Sequence, residues 1–180
     1  PIRPIKDENG HFRTIAIVLP GRIMHARIWE VCVGRIKLYL LDTDFEENIE
    51  EDRPVTHRLY GGNNENRLKQ ELLLGIGGIR ALEVMRWKPD LYHSNEGHSA
   101  FIGLERMRNY IQNDKLSFAE AREIVRSSTL FTTHTPVPAG HDAFEEDMLR
   151  KYIGHYPERL RINWNEFMAL GRTTPNSWDE

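Results

Sequence analysis

Cysteine is nearly absent from this 180-residue chain: Cys32 is the only one. A single cysteine cannot close an internal disulfide or build a cysteine-based zinc cluster, and it suits a reducing compartment. Its expected place is as a small buried apolar residue. Long hydrophobic runs are also missing, so no stretch is expected to span a bilayer. Excess positive charge is missing as well. With 24 Lys and Arg against 27 Asp and Glu, the chain lacks the basic face that nonspecific nucleic-acid binding needs. No signal-peptide pattern opens "PIRPIKDENG", and proline at position 1 is read as the start of a piece of a longer protein. Neither internal repeats nor low-complexity tracts occur. Nucleotide motifs are wanting too. "GIGGIR" (75–80) lies inside a helical pattern rather than after a strand, and there is no Walker lysine. "HSNEGHSAF" (93–101) holds no G-x-S-x-G elbow.

What remains is an ordinary globular mixture, 39% apolar and 28% charged, about the size of one domain. His11–Leu19, Arg22–Val33 and Arg35–Leu41 are rich in Ile, Val and Leu, with turn punctuation at "PG" (20–21) and Gly34. They predict three antiparallel strands in a meander. "DTDFEENIEEDRP" (42–54) reads as an exposed acidic loop. Apolar residues at 68, 72, 73, 76, 79, 82 and 84 give helical spacing. Gly75, Gly77 and Gly78 interrupt it, each weakening a helix by roughly 1 kcal/mol relative to alanine. Close packing of the helix backbone on a strand or ligand would explain them. A short strand at Leu91–Tyr92 then exits through His93–Gly97. Helices follow at Ser99–Ile111 and from Ser117, where Ser117 and Glu120 have capping-box spacing. A strand covers 129–133, and helices lie near 144–153 and 163–170. Strands alternating with helices predict a Rossmann-like α/β layer with a parallel sheet, to which the meander is an antiparallel addition. The expected division is 1–57 for meander and acidic loop, 58–172 for the α/β portion, and 173–180 for a polar tail, all in one partial domain.

Ligands bind open parallel sheets at the carboxyl ends of the strands. Two loops lie there: "HSNEGHSAF" and "THTPVPAGHDAF" (133–144). If the strands are parallel neighbours, the loops face one cleft. His93, Asn95, Glu96, His98, His134, His141 and Asp142 are groups that hydrogen-bond sugars. The histidines also raise a metal site, although 93/98 and 134/141 are not the i, i+4 pair of a zinc protease. The plainer alternative is that histidines such as His93 and His141 cap helices or satisfy carbonyls. "YGGNNEN" (60–66) reads from spacing as a flexible turn into the helix, with Asn64 or Asn66 as its N-cap. A gate presenting asparagine amides to a ligand is the other reading. Trp29, Trp87, Trp164 and Trp178 are scattered. They are expected in the core or as caps rather than as a sugar-stacking platform.

Together, "LYLLDTD" (38–44), "RLYGGNNENRLKQELLLGIGGIRAL" (58–82), "KPDLYHSNEGHSAF" (88–101) and "STLFTTHTPVPAGHDAF" (128–144) resemble the α-glucan phosphorylases, the glycogen, starch and maltodextrin phosphorylases of the shorter bacterial and archaeal type. The resemblance covers nearly the whole chain. It implies an internal part of the amino-terminal half of a cytoplasmic two-domain glycosyltransferase (GT-B type) and leaves room for a homo-oligomeric parent. The substrates implied are α-1,4-glucan and inorganic phosphate, giving glucose 1-phosphate with retention. By this resemblance the His134 imidazole meets the sugar's 6-hydroxyl, and its backbone carbonyl lies near the developing charge at the anomeric carbon. Pro136, Pro138 and Gly140 would hold that loop preorganised. Glu96 and His98 match positions near the same site, and Asn63 and Asn64 match a gate loop at the 2-hydroxyl. Many relatives carry Asp where Asn63 stands, and Ser94 replaces a usually apolar residue. The family's pyridoxal phosphate would be bound by a carboxyl-terminal half that this chain lacks. No residue of the chain is assigned to a cofactor or a metal, and the chain by itself is expected to be inert. A nucleotide-sugar glucosyltransferase and a non-catalytic carbohydrate-binding module are the alternatives.

Overall fold

The computed structural model describes residues 2–59, 61–136 and 142–172. The chain divides into two compact units, Pro1–Lys88 and Pro89–Glu180.

The first unit is built on one long strand. β3 (Arg22–Val33) pairs antiparallel with β2 (Thr14–Leu19) over residues 22–27 and with β1 (Ile2–Pro4) over 29–31. β4 (Ile36–Asp42) pairs with 27–33 along the opposite edge. The meander therefore matches its sequence pattern, with β1 added. Its turns use positive-φ glycines, Gly21 (+71°) and Gly34 (+59°), as hairpin connections require. The sheet does not extend the parallel one, as the sequence suggested. Among the described residues its four strands pair with one another and with neither strand of the parallel sheet.

Alternate residues Ile15, Ile17, Leu19, Met24, Ala26 and Ile28 fill the buried face. A π-helical turn (Leu73–Gly77) and α2 (Gly78–Val84) cover it, while α1 (Asn64–Leu72) leads into that turn and packs on the 3-10 turn Arg53–Thr56. Gly75 and Gly77 lie in the π turn, and Gly78 opens α2. A β-carbon on Gly77 would stand 3.2 Å from Ile15 Cδ1 and 3.4 Å from Leu41 Cδ1. At that position close packing on the sheet accounts for the glycine. Gly78 has open space, so the same account does not extend to it.

Two expectations need correcting here. Cys32 is exposed. It keeps the alternation of the buried face but lies beyond Glu30, the last buried residue of β3. The acidic segment is also not simply a solvated loop. Its glutamates face water, but Thr43, Asn48 and Asp52 are buried. Asn48 donates to the His25 and Thr43 carbonyls and accepts from the His25 amide. Asp52 receives Arg22 and Lys69. Burial pushes its carboxyl upward, but the bonds from Arg22 and Lys69 outweigh this and leave it below the ordinary aspartate value.

In the second unit β5 (Tyr92–Asn95) and β6 (Thr129–Thr132) are parallel neighbours, with Tyr92 opposite Thr129 and Asn95 opposite Thr132. The crossover between them holds α3 (Ile102–Asn113) and α4 (Phe118–Ser127). Ser117 and Glu120 form the anticipated capping box. α5 (Glu146–Ile153), α6 (Tyr156–Leu160) and α7 (Trp164–Met168) follow. Their core includes Leu104, Met107, Ile111, Tyr152, Tyr156 and Phe167. Arg106 ties α3 to the strands, donating to Ser128 and Thr129 hydroxyls and lying over the Tyr92 ring. Among the described residues the parallel sheet has only these two strands, so the fold is established as mixed α/β and no further. Trp29 and Trp164 are half-buried and donate to Asp42 and Glu146. Trp87, expected inside or capping, is half-exposed against Tyr39. Trp178 lies outside the described residues. No helix among them is long and apolar enough to cross a membrane.

Gly77→Leu is expected to lower stability by about 1–3 kcal/mol, since it forces extra atoms between helix and sheet. Urea unfolding followed by circular dichroism reads it, and an unchanged midpoint would remove the close-packing account.

Candidate functional site

Strand β5 runs to Asn95, further than its sequence suggested, so the exit begins at Glu96. The Glu96 amide still donates to the Thr132 carbonyl at 2.8 Å. Both chain segments therefore leave the two-stranded sheet at one level. Glu96 then takes φ +59° and ψ −171°, a region normally left to glycine.

The side chain of this strained residue is buried. Its Oε1 accepts from the His134 amide (2.9 Å), the Thr135 amide (3.0 Å) and the Thr135 hydroxyl (2.9 Å). Its Oε2 accepts from the Thr133 hydroxyl at 3.1 Å. The His134 amide bond, aided by the two threonine hydroxyls and opposed by burial, holds the carboxyl down at about 2. Hydrogen bonds to the charged form are what keep a carboxylate ionised.

His134 follows β6 with its side chain 55% exposed. Nδ1 lies 3.3 Å from Glu96 Oε1. Nε2 lies 3.0 Å from Asn95 Oδ1, so with the amide placed this way Nε2–H is the donor. The two histidine loops thus meet through Asn95, Glu96 and Thr133–Thr135. Thr133 and Thr135 carry no signal of their own in the sequence. Their partner Glu96 is 37 and 39 positions away, and no local pattern marks such a link.

His98 stands in a 3-10 turn (Gly97–Ser99), with Nδ1 3.6 Å from Asp142 Oδ2. Within this unit the pair offers two metal-type ligands, fewer than the three an open zinc site uses. His93 meets the Thr132 hydroxyl at 2.7 Å across the strand pair, a contact that is neither the helix cap nor the carbonyl bond expected of it. His141, Pro138 and Gly140 lie outside the described residues. A hollow of about 460 Å³ in the second unit is lined by Ser94, Ile102, Met107, Val125 and Phe131 among others, and by neither Glu96, His98 nor His134.

Asn63 and Asn64 belong to the first unit. The N-cap of α1 is Asn63, whose Oδ1 accepts from the Asn66 amide at 2.9 Å. This corrects the expectation of a cap at Asn64 or Asn66. Asn63 has the extended backbone that an N-cap needs (φ −93°, ψ −179°). Asn64 is the first residue of α1 and is exposed. Asn66 donates to the Gly61 carbonyl. Gly62 (φ +84°) could not carry a β-carbon, which would fall 2.9 Å from Asn66 Cβ. The segment does lead into the helix, but these contacts make it a specifically built turn rather than the flexible one its spacing suggested.

No family model matches the chain. Among curated proteins it is 45% identical over 172 residues to maltodextrin phosphorylase of Thermococcus litoralis, which spans 96% of this chain and 20% of that protein. It is 46% identical over 159 residues to glycogen phosphorylase of Mycobacterium tuberculosis, 85% of this chain and 18% of that one. It is 30% identical over its full length to glycogen phosphorylase of Aquifex aeolicus, 26% of that protein. The chain spans about a fifth of the length of the first of these relatives. Its sequence is that of one segment of the maltodextrin and glycogen phosphorylase family.

Proposed function

We propose that this chain supplies the glucosyl-side loops of an α-1,4-glucan phosphorylase. The whole enzyme transfers a terminal glucosyl unit of the glucan to inorganic phosphate, retaining the anomeric configuration. The observation that supports this best is the meeting of two strand exits at Glu96 and Thr133–Thr135, which leaves the His134 imidazole exposed beside them. An imidazole with Nε2–H can donate to a sugar hydroxyl once it leaves Asn95, and His98 and Asn95 offer further polar groups nearby in sequence. Asn63 and Asn64 are read as the gate-loop contribution. Asparagine and aspartate rank alike as N-caps, so the departure from the expected Asp leaves the helix start intact.

Pyridoxal phosphate does not fit the residues present. Its aldehyde needs a lysine, and none of the residues read into the sugar site (Asn63, Asn64, Glu96, His98, His134) is one. On this reading the cofactor belongs to the part of the enzyme outside this chain, in a cytoplasmic two-domain GT-B enzyme. The contribution of this chain is to hold the sugar and to aim backbone dipoles at the anomeric carbon, where charge develops.

Two outcomes follow. The 180-residue chain should release no glucose 1-phosphate from maltoheptaose and phosphate in a coupled assay; turnover by the verified chain would refute the division of labour. In the full-length enzyme carrying this segment, His134→Ala should lower kcat by about 10²–10³-fold, the range for losing one preorganised transition-state contact. Unchanged turnover would remove His134 from the sugar site.

A further inference from the structure

We propose that Glu96 is a positioning residue that aims the His134 backbone, and not a sugar ligand. Three observations lead there. First, the carboxylate is already bonded to the facing turn and enclosed. A carboxylate offers about four acceptor positions. Two amides and two hydroxyls of Thr133–Thr135 take four bonds. Three of these fall on Oε1 and one on Oε2, and with Glu96 only 4% exposed a sugar hydroxyl has little open approach to the remaining Oε2 position.

Second, the bonds set the direction of the carbonyls. No peptide here is cis. In a trans peptide the N–H and C=O point opposite ways across one plane. The Thr135 amide points at Glu96, so the His134 carbonyl points away from it. The His134 amide also points at Glu96, so the Thr133 carbonyl points away too. One anion thereby sets two successive peptide planes. In the sugar-site reading, the His134 carbonyl is the dipole that faces the anomeric carbon. The catalytic half of this inference rests on that reading; the positioning half does not.

Third, the backbone of Glu96 is strained at φ +59° and ψ −171°. Glycine would relieve that strain. A glutamate there needs a compensating role for its side chain, and the four bonds to the facing turn are that role. Asn95, the preceding residue, holds the imidazole from the other ring nitrogen. Backbone and ring of His134 are thus oriented by neighbours on β5 and at its exit.

The test has a structural arm on the 180-residue chain and a kinetic arm on the full-length enzyme. In wild-type chain, the His134 and Thr135 amide proton shifts should titrate together with the Glu96 carboxyl, with a midpoint at about 2. The sign is that of a depressed carboxylate. Its contribution is complete above the ordinary glutamate range and fades as pH falls through the folded value. In Glu96→Gln, hydrogen exchange at those two amides should quicken at least about tenfold, while Ile111 and Val125 amides change less than about twofold. Glu96→Asp should restore little, since its shorter side chain does not span the same gap. Amides that ignore the Glu96 titration, or a Glu96→Gln chain that keeps their protection, would overturn the positioning role. The wild-type titration, read over the pH range in which the Ile111 and Val125 amide shifts stay constant, decides this even if the variants do not fold.

In the full-length enzyme, Glu96→Gln should lower kcat by about 10²-fold, the scale of a misplaced catalytic group, with KM for maltoheptaose changed less than about threefold. A rise in KM at constant kcat would make Glu96 a sugar ligand after all. Lost amide protection with unchanged kcat would keep the positioning role and instead sink the sugar-site reading of His134.

Discussion

One buried carboxylate joins two stretches of chain that a four-residue parallel ladder alone would hold weakly. Two-stranded sheets are marginal in water, and β5 and β6 have only each other as partners among the described residues. Arg106 secures the ladder from the helix side, through Tyr92, Ser128 and Thr129. At the other end Glu96 does the equivalent for the exits. The strands are thus tied at both ends by charged side chains that are themselves buried, and charge-assisted bonds of this kind are the stronger ones. A loop held in that way can leave an imidazole in the open without losing its orientation.

The first unit solves a similar problem with different chemistry. An acid-rich segment cannot pack by hydrophobic burial, yet it must return the chain from β4 to α1. Thr43, Asn48 and Asp52 do this by pairing with β3, α1 and one another's neighbours. Val55 and Phe45 supply the apolar part. The glutamates between them remain in water, where their mutual repulsion is screened. At the start of α1, Gly62, Asn63 and Asn66 fit one another closely enough that the gate-loop asparagines are first of all structural residues. Any part they take in binding a ligand is added to that role.

Legibility in the sequence followed the range of the interactions. The meander was readable because alternation and positive-φ turn glycines are local, and the Ser117–Glu120 box because it spans three residues. Parallel pairing of the two histidine-bearing strands could be inferred from the helices between them. β1 escaped because three residues with a proline carry no alternation, and α6 because Pro157 disguises a helix start. Asn48 and Asp52 read as solvated because their partners lie on β3 and α1. The site was visible as residue types but not as bonds. His134 and Glu96 could be named, yet nothing local says that one fixes the other across 38 positions.

That last point changes how an acidic residue in a candidate sugar site should be read. Glutamate beside a cluster of histidines suggests an acceptor for vicinal hydroxyls. The same glutamate can satisfy backbone amides instead, and the two uses compete for the same lone pairs. Burial and donor count decide between them. A side chain kept for a ligand stays exposed to solvent, as the His134 ring is; a carboxylate used for architecture is already enclosed by its donors, as Glu96 is. Two adjacent residues, Asn95 and Glu96, thus divide the task by orienting the ring and the backbone of a third.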